Sequence, residues 1–157
     1  LLYAALTCVT AGTALGFNRA ILFLVNKTDG TLEGKMGAGP SNPEEATQIW
    51  RELASQNPTL DDILEEYDQR GPTQSPLDQI ARQIHIPLDE PDDILARSIR
   101  ERQTLKAVEE EALHISPALW AALGSRHFVV TPLVAHNQVV GAIVADNLYS
   151  SAPITDL

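Results

Sequence analysis

Two apolar runs near opposite ends of the chain most constrain what it can fold into. Residues 20–25 are apolar without interruption, and residues 128–135 and 139–145 are two β-rich runs with a polar break at 136–138. A strand that is apolar on both faces needs cover on both faces, which only central positions of a sheet provide. We therefore predict that residues 20–25 and 139–145 are central, adjacent and antiparallel strands. The three-residue polar break predicts a hairpin turn.

The residues around the first run predict a helix before it and a hairpin after it. Residues 2–11 carry an apolar stripe at helical spacing, and Gly12 marks the exit of that helix. The Asp-Gly pair within residues 27–30 favours a tight turn, after which the more polar residues 32–37 pair back. Because charged residues such as Lys35 discourage stray pairing, we place this second strand at the sheet edge.

The middle of the chain, residues 40–123, is predicted to be helical because helix start signals recur in it. Asn42 stands before Pro43 with Glu45 at the third helical position, which is a capping arrangement. Four further short helices are expected after Thr59, Ser75, Glu90 and Ser116, at residues 60–69, 76–84, 91–102 and 117–123. Residues 103–108 are predicted to add a short edge strand.

The helix that follows Asn42 has a single apolar face. Its members recur at helical spacing: Ala46, Ile49, Trp50 and Leu53. We expect this face to lie against the sheet, with Trp50 buried as its anchor. In the late hairpin, Pro132 predicts a bulge or an unpaired position, and Gly141 predicts a bulge or a close backbone approach.

Composition narrows the class of protein. A length of 157 residues suits one domain with a real core. Lys plus Arg number 11 and Asp plus Glu number 21, and the resulting formal charge of −10 disfavours direct binding to nucleic acid or to an anionic membrane surface. Cys8 is the only cysteine, which excludes an internal disulfide or a cysteine metal site and favours a reducing cytoplasm.

The two ends of the chain predict a fragment of a longer protein. The chain begins at Leu1 without an initiator Met, and its last residues read as the opening of a helix that is cut short at Leu157. Residues 1–18 carry no charge, but they fall short of the roughly 20 residues needed to span a bilayer and have no basic leader. We therefore expect a buried helix there and a single domain over residues 1–157.

No enzyme motif is complete in the chain. Residues 34–40 contain glycine and lysine but lack the Gly-Lys-Ser/Thr ending of a phosphate loop. A Gly-x-Ser-x-Gly elbow is absent from the sequence. No two of the four histidines stand at the helical spacing of paired metal ligands, so no metal is predicted. The acidic clusters at residues 61–66 and 109–111 indicate solvated helix faces.

Residues 15–26, which contain the apolar run 20–25, and the hairpin of residues 127–147 resemble the first strand and the late hairpin of a GAF domain. The resemblance covers nearly the whole chain, from about residue 1 to 156. It implies an α+β, GAF/PAS-like fold: an antiparallel five- or six-stranded sheet with helices on both faces. The implied strand order is second, first, last, penultimate and middle. GAF domains serve as sensing or dimerising modules inside larger signalling proteins.

The resemblance also narrows the subtype. Bilin-carrying members attach the pigment through a cysteine in the middle or late part of the domain, whereas Cys8 lies in the first predicted helix. Free-methionine-sulfoxide reductases of this fold use several cysteines, and one cysteine cannot run an internal thiol–disulfide cycle. Cyclic-nucleotide members carry a longer pattern of which only Asn26-Lys27 is matched here. The identity of any ligand or cofactor therefore stays open.

By resemblance, a ligand cavity would lie between the sheet and the helices that cross it. The residues that we predict to line it are Arg19, Phe23, Met36, Trp50, His127 and Thr131. For the apolar members the alternative is simple core packing, and for Arg19 it is an exposed or ion-paired strand end. Asp146 and Asn147 are expected to cap the loop after the last strand.

The function implied by the resemblance is regulatory. We predict a small-molecule-sensing or signal-relay domain of a bacterial-type signalling protein, such as a histidine kinase of a two-component system or a GAF/HD-type protein. Its effector domain would lie elsewhere in the same polypeptide, and this part would not be an enzyme. The alternatives are a ligand-free dimerisation or spacer module and, against the cysteine count, a GAF-type reductase. The uncharged residues 1–17 predict a two-fold homodimer through the terminal helices.

Overall fold

The computed structural model describes residues 2–10, 16–70, 75–107, 114–125 and 127–154. Their helices and strands, in chain order, are α1 (Leu2–Thr10), β1 (Arg19–Asn26), β2 (Thr31–Ala38), α2 (Pro43–Gln56), α3 (Leu60–Arg70), α4 (Pro76–Ala81), β3 (His85–Pro87), α5 (Ile94–Glu101), β4 (Leu105–Ala107), α6 (Pro117–Leu123), β5 (Phe128–Ala135) and β6 (Gln138–Asp146). The predicted exit of the first helix at Gly12, the acidic cluster at 109–111 and the C-terminal helix lie outside the described residues.

One antiparallel sheet of six strands organises the fold, in the order β3-β2-β1-β6-β5-β4. The strands β1 and β6 are central, adjacent and antiparallel, with Arg19 opposite Asp146 and Leu24 opposite Gly141. The predictions of the two central strands, of the strand order and of the late edge strand are therefore confirmed. The edge position predicted for β2 is wrong, because β3 returns along it and pairs Ile86 with Leu32.

The turns of the two hairpins follow from residues that tolerate positive φ. Gly30 has φ +66° and its N–H donates to the carbonyl oxygen of Asn26 at 2.9 Å. The β5–β6 turn has two residues rather than the predicted three, and His136 and Asn137 have φ of 50° and 61°. Two consecutive left-handed residues are the geometry of a type I′ turn, whose twist matches that of the strands.

The irregularities predicted for the late hairpin are found close to their expected positions. Pro132 pairs with Ala142, and the register shifts one residue later, between Leu133 and Val134. The bulge is thus real but does not lie at the proline itself. Gly141 permits the close approach that was predicted, since a Cβ there would overlap the carbonyl oxygen of Phe23.

Helices cover both faces of the sheet, as predicted. We call the face covered by α4, α5 and α6 the inner face and the face covered by α1 the outer face. Alternate residues of β1 serve the two sides: Phe23 lies in the inner cluster, and Leu22 lies in the outer cluster together with Leu6 of α1. Because successive side chains of a strand point to opposite faces, an uninterrupted apolar run is what two-sided cover requires.

Helix α4 sits directly on the backbone of β2. A Cβ at Gly34 would overlap the carbonyl oxygen of Ala81, and a Cβ at Gly37 would stand 2.7 Å from the carbonyl oxygen of Leu77. The buried carboxylate of Asp78 accepts the N–H of Gly37 at 3.1 Å, so the helix and the strand also share a hydrogen bond. The two glycines of β2 thus permit the close approach of a covering helix.

Four of the five predicted helix starts are confirmed by their caps. The side chains of Asn42, Ser75 and Ser116 each accept a backbone N–H of the first turn. The Thr59 hydroxyl oxygen accepts the backbone N–H of Asp62 at 3.2 Å. The start predicted after Glu90 is wrong, because α5 begins at Ile94. Its cap is Asp93, whose carboxylate accepts two N–H groups of α5.

The packing predicted for α2 is wrong. Of its apolar face only Ala46 is buried, while Trp50 and Leu53 are 39% and 41% exposed. On the strands β1 and β2 the positions are already taken, because α1 packs on them from the outer side and α4 from the inner side. Trp50 of α2 instead lines a groove that Thr10 of α1 also lines.

Candidate functional site

The six residues predicted to line a ligand cavity do not come together. Phe23 is fully buried in the inner cluster, whereas Met36 packs against the outer cluster. Trp50 lines the groove between α1 and α2, again on the outer side. Half-buried Thr131 lies on β5, where its hydroxyl is 3.2 Å from that of Thr104. As ligand contacts these residues stay predictions, but they are spread over both faces and one edge of the sheet.

The inner face of the sheet, where the cavity was predicted, carries a cluster of buried side chains. The inner cluster joins the sheet to α4, α5 and α6 through residues with essentially no exposure: Phe23, Phe128, Leu77, Leu95, Leu119 and Val130. Because α4 also rests on the β2 backbone, this face of the described fold is closely packed where it was expected to hold a ligand.

Arg19 instead forms a buried polar cluster where β1 begins and β6 ends. Its Nε donates to Oδ1 of Asp146 at 3.0 Å and its Nη2 to Oδ2 at 2.5 Å. The same Nη2 also donates, at 2.6 Å, to the carbonyl oxygen of Leu123, the last residue of α6. Arg19 and Asp146 are 3% and 1% exposed, so this bidentate pair is removed from water.

The aromatic ring of Tyr149 completes this cluster. The guanidinium carbon of Arg19 lies 5.3 Å from the ring centroid, within the range of a cation–π contact. Partial burial raises the pKa of the Tyr149 hydroxyl above its ordinary value; the nearby Arg19 charge opposes the shift and the Asp146 charge adds to it. The phenol therefore stays neutral at physiological pH.

Asn18 fastens the segment that follows β6 to the start of β1. We call residues 147–154 the exit segment. The Asn18 side-chain oxygen accepts the N–H groups of Tyr149 and Ser150 at 3.0 and 2.7 Å, and its own N–H donates to Oδ1 of Asn147 at 3.1 Å. The exit segment is thus held by Asn18, just before β1, and by Arg19, the first residue of β1, which contacts the Tyr149 ring.

A half-open cavity of about 560 Å³ lies between the exit segment, β4 and the residues before β5. His127 lines this cavity together with Lys106, Phe128 and Ile154. It was the only one of the six predicted residues to do so. In the part of the chain that the structure describes, no cluster of three or more His, Cys, Asp or Glu side chains suits a metal ion. No helix within the described ranges has the length and hydropathy needed to cross a bilayer.

Comparison with known proteins identifies this architecture. A family model described as GAF domain matches residues 3–156. The chain belongs to the GAF domain family. The resemblance seen in the sequence is therefore confirmed at the level of family and fold. No curated protein sequence matches this GAF domain.

Solved structures share the fold at low sequence identity. Residues 122 to 287 of a methyl-accepting chemotaxis protein align with a TM-score of 0.56 and 15% identity, covering 95% of this chain and 73% of that one. A GAF domain/HD domain protein from Geobacter sulfurreducens aligns with a TM-score of 0.55 and 15% identity, covering 99% of this chain and 78% of that one. A type II free methionine-R-sulfoxide reductase from Thermoplasma acidophilum aligns with a TM-score of 0.52 and 10% identity, covering 93% of this chain and 71% of that one.

The role of Asp146 was only half visible in the sequence. It was expected to cap the following loop, and its Oδ1 does accept the N–H of Leu148 at 3.1 Å. Its pairing with Arg19 requires the register of β1 against β6, which places the two residues opposite each other across 127 positions of sequence. The signal that could have found it is a cation at the start and a carboxylate at the end of two strands predicted to be adjacent.

Proposed function

We propose that this GAF domain is a regulatory signal-relay module of a multidomain signalling protein. The observation that carries the proposal is the position of Arg19. One guanidinium contacts the end of an inner-face helix, through Leu123, and the end of the central strand β6, through Asp146. The exit segment begins at the next residue. In this proposal a shift of α6 bears directly on the segment that follows the last strand.

A relay of this kind needs two arrangements of α6 that bind the exit segment differently. Arg19 can supply the difference, because a charge-assisted hydrogen bond is lost or kept as the Leu123 carbonyl moves. Among the described residues, hydrogen bonds to Asn18 also hold the exit segment, and Ile154 packs against the outer cluster. Such a segment can be displaced without unfolding the sheet.

The proposal assigns no catalysis to this domain. One structural neighbour is a free methionine-R-sulfoxide reductase, but a fold shared at 10% identity does not carry a reaction. An internal thiol–disulfide cycle needs at least two cysteines, and Cys8 on α1 is the only one. The catalytic output would belong to an effector domain in the same polypeptide, in a cytoplasmic, bacterial-type signalling protein.

A ligand-free dimerisation or spacer module is the second candidate. The observation that favours it is the cluster of large buried side chains on the inner face. Under this alternative the domain would form a two-fold homodimer, and Arg19 would only stabilise the fold. The two candidates differ in whether a substitution of Arg19 alters residues that do not contact it.

The experiment compares backbone amide spectra of the wild type, Arg19→Lys and Arg51→Lys. Lys keeps the charge but loses the bidentate geometry, and Arg51 is an exposed residue of α2 that serves as the matched control. The relay predicts that Arg19→Lys shifts amides of α6 and also of the distant part of the exit segment, at Ala152 and Ile154. Shifts confined to the direct neighbours of Arg19 would reject the relay and leave the spacer.

A further inference from the structure

Helix α2 is capped at both ends and exposed over most of its length. The Asn42 side chain accepts an N–H of the first turn at 2.8 Å. The helix ends at Asn57, whose φ is 44° and whose N–H donates to the carbonyl oxygen of Leu53 at 2.7 Å. Ala46 is its only buried residue, and residues 50–56, which make up its last two turns, are all exposed. Because caps stabilise a helix from within, α2 can keep its shape without a packed face.

This exposed helix carries large apolar side chains. Trp50 and Leu53 are each about two-fifths exposed, and Ile49 beside them is half-buried. Ile63 of α3 lines the same groove as these three residues. We call Ile49, Trp50, Leu53 and Ile63 the apolar strip. An exposed apolar patch with a polar rim is typical of a surface that binds another protein.

The two helices that supply the apolar strip carry most of the negative charge of the chain. Residues 43–70 contain eight carboxylates and two arginines, which is a formal charge of −6 out of −10 for the whole chain. Residues 11–15 and 71–74, which lie outside the described ranges, contain no Asp, Glu, Lys or Arg and leave this count unchanged. Seven of the eight carboxylates are exposed, namely Glu44, Glu52, Asp61, Asp62, Glu65, Glu66 and Asp68.

The acidic rim indicates which kind of partner fits the apolar strip. A two-fold contact with a second copy would bring the same carboxylates together from both sides. Like charges that meet in an interface cost affinity, whereas lysines and arginines around an apolar stripe would complement the rim. A helix suits the shape as well, because an apolar groove beside helices accepts side chains that recur along one face of an amphipathic helix.

We propose that residues 43–70 form a docking surface for a basic amphipathic helix of a partner protein. The apolar face of the partner helix covers Trp50 and Leu53, and its lysines and arginines lie against the carboxylates of α2 and α3. Because α2 is already capped at both ends, docking requires little further ordering of this helix. This inference goes beyond the relay through Arg19 and does not rest on it.

A peptide of about 18 residues, built from leucine and lysine with the leucines at helical spacing, tests this pairing. Its counterpart has glutamate in place of each lysine. Titration of the isotopically labelled protein, followed at the backbone amides, should show saturable shifts at Trp50, Leu53 and Ile63 with the lysine peptide. The glutamate peptide should cause none. High salt should weaken the binding, because it screens exposed charges.

Leu53→Ala tests the apolar strip. It should weaken the lysine peptide roughly tenfold or more, because a large apolar side chain is lost from the contact. Ile80→Ala is the matched control, since Ile80 of α4 is exposed to the same degree and lies outside the proposed surface. It should leave the affinity unchanged.

The double variant Asp61→Asn, Glu65→Gln tests the rim with little effect on folding, because it removes two exposed charges and keeps the size of the side chains. It should weaken the lysine peptide roughly threefold or more at low salt. Asp89→Asn, Glu90→Gln makes the same change at two exposed residues before α5 and should not weaken the peptide.

Several results would overturn the docking surface. Equal losses in the two double variants would mean that the peptide responds only to the total charge of the protein. Equal losses in Leu53→Ala and Ile80→Ala, or equal binding of the two peptides, would remove the apolar strip or the acidic rim from the contact. Shifts at Trp50 that depend on the concentration of the protein alone would assign this face to a second copy. Absence of saturable binding would also reject the proposal.

Discussion

Arg19 and Asp146 face each other across the β1–β6 pair and form a buried, bidentate ion pair at the point where the chain enters and leaves the sheet. The pair also holds α6, because Arg19 donates to the Leu123 carbonyl oxygen. A buried pair of this kind contributes little relative to apolar residues of the same shape, but breaking it leaves an uncompensated charge. Its role here is to fix positions, because the Arg19 guanidinium joins β1, β6 and the end of α6.

Replacing Arg19 with Ala should lower the free energy of unfolding by about 3–5 kcal/mol, because the Asp146 carboxylate stays buried without its counter-charge. Urea unfolding followed by circular dichroism measures this loss. Lys35→Ala is the control: it breaks the more exposed pair with Glu33 and should cost at most about 1 kcal/mol. The double variant Arg19→Met, Asp146→Leu should recover most of the loss. An Arg19→Ala protein as stable as the wild type would contradict the buried-pair argument.

Gly34→Ala should separate α4 from β2, because the added methyl group meets the Ala81 carbonyl oxygen. We expect a loss of about 1–3 kcal/mol, as for other overpacked contacts. Hydrogen exchange at the Gly37 amide, which donates to Asp78, should become faster. Gly30→Ala is the matched control, since it has open space and only the strain of φ +66°. It should cost stability without changing exchange at Gly37; equal effects on Gly37 would show that α4 is not the element disturbed.

Trp50→Ala should cost only about 1–2 kcal/mol, because the side chain is 39% exposed and is not a member of either buried core cluster. Phe128→Ala, which truncates a fully buried ring, should cost about 3–5 kcal/mol. Thermal unfolding of both variants beside the wild type measures the difference. A Trp50→Ala variant as unstable as Phe128→Ala would mean that α2 anchors the fold after all.

Asp93 should make stability fall as the pH rises from the ordinary pKa of an aspartate to its raised value in the folded protein. Burial raises the pKa of Asp93, although the N–H groups of Ala96, Leu95 and Ser116 oppose the shift by donating to its carboxylate. A raised folded-state pKa contributes stability below the unfolded value that is lost as the pH rises through the folded value. The stability of the wild type minus that of Asp93→Asn should therefore decrease through this window and then stay constant.

Asp62→Asn provides a control of the opposite sign for that pH series. Hydrogen bonds from the Thr59 side chain and backbone lower the pKa of Asp62, which is exposed. Its contribution is present above the unfolded value and is lost as the pH falls through the folded value. The stability of the wild type minus that of Asp62→Asn should therefore increase with pH. Two difference curves of the same sign would contradict the assignment at Asp93.

The sequence by itself determined the features that depend on a few neighbouring residues. The uninterrupted apolar run of β1 requires cover on both faces, and that requirement placed it at the centre of the sheet. Caps such as Asn42 and Ser116 act within three residues of themselves, so their helices could be located without knowing the fold. The turn at Gly30 follows equally from local backbone freedom.

Only the tertiary structure decided which apolar faces are buried and which charges are paired. Trp50 lies on an amphipathic helix that was expected to pack against the sheet, but α1 and α4 already cover β1 and β2. Asp93 displaced the predicted start of α5 because it also accepts the N–H of Ser116, 23 residues further on. Arg19 pairs with Asp146 because the register of β1 against β6 places them opposite each other. Burial and pairing depend on contacts between distant parts of the chain, and a local pattern does not contain them.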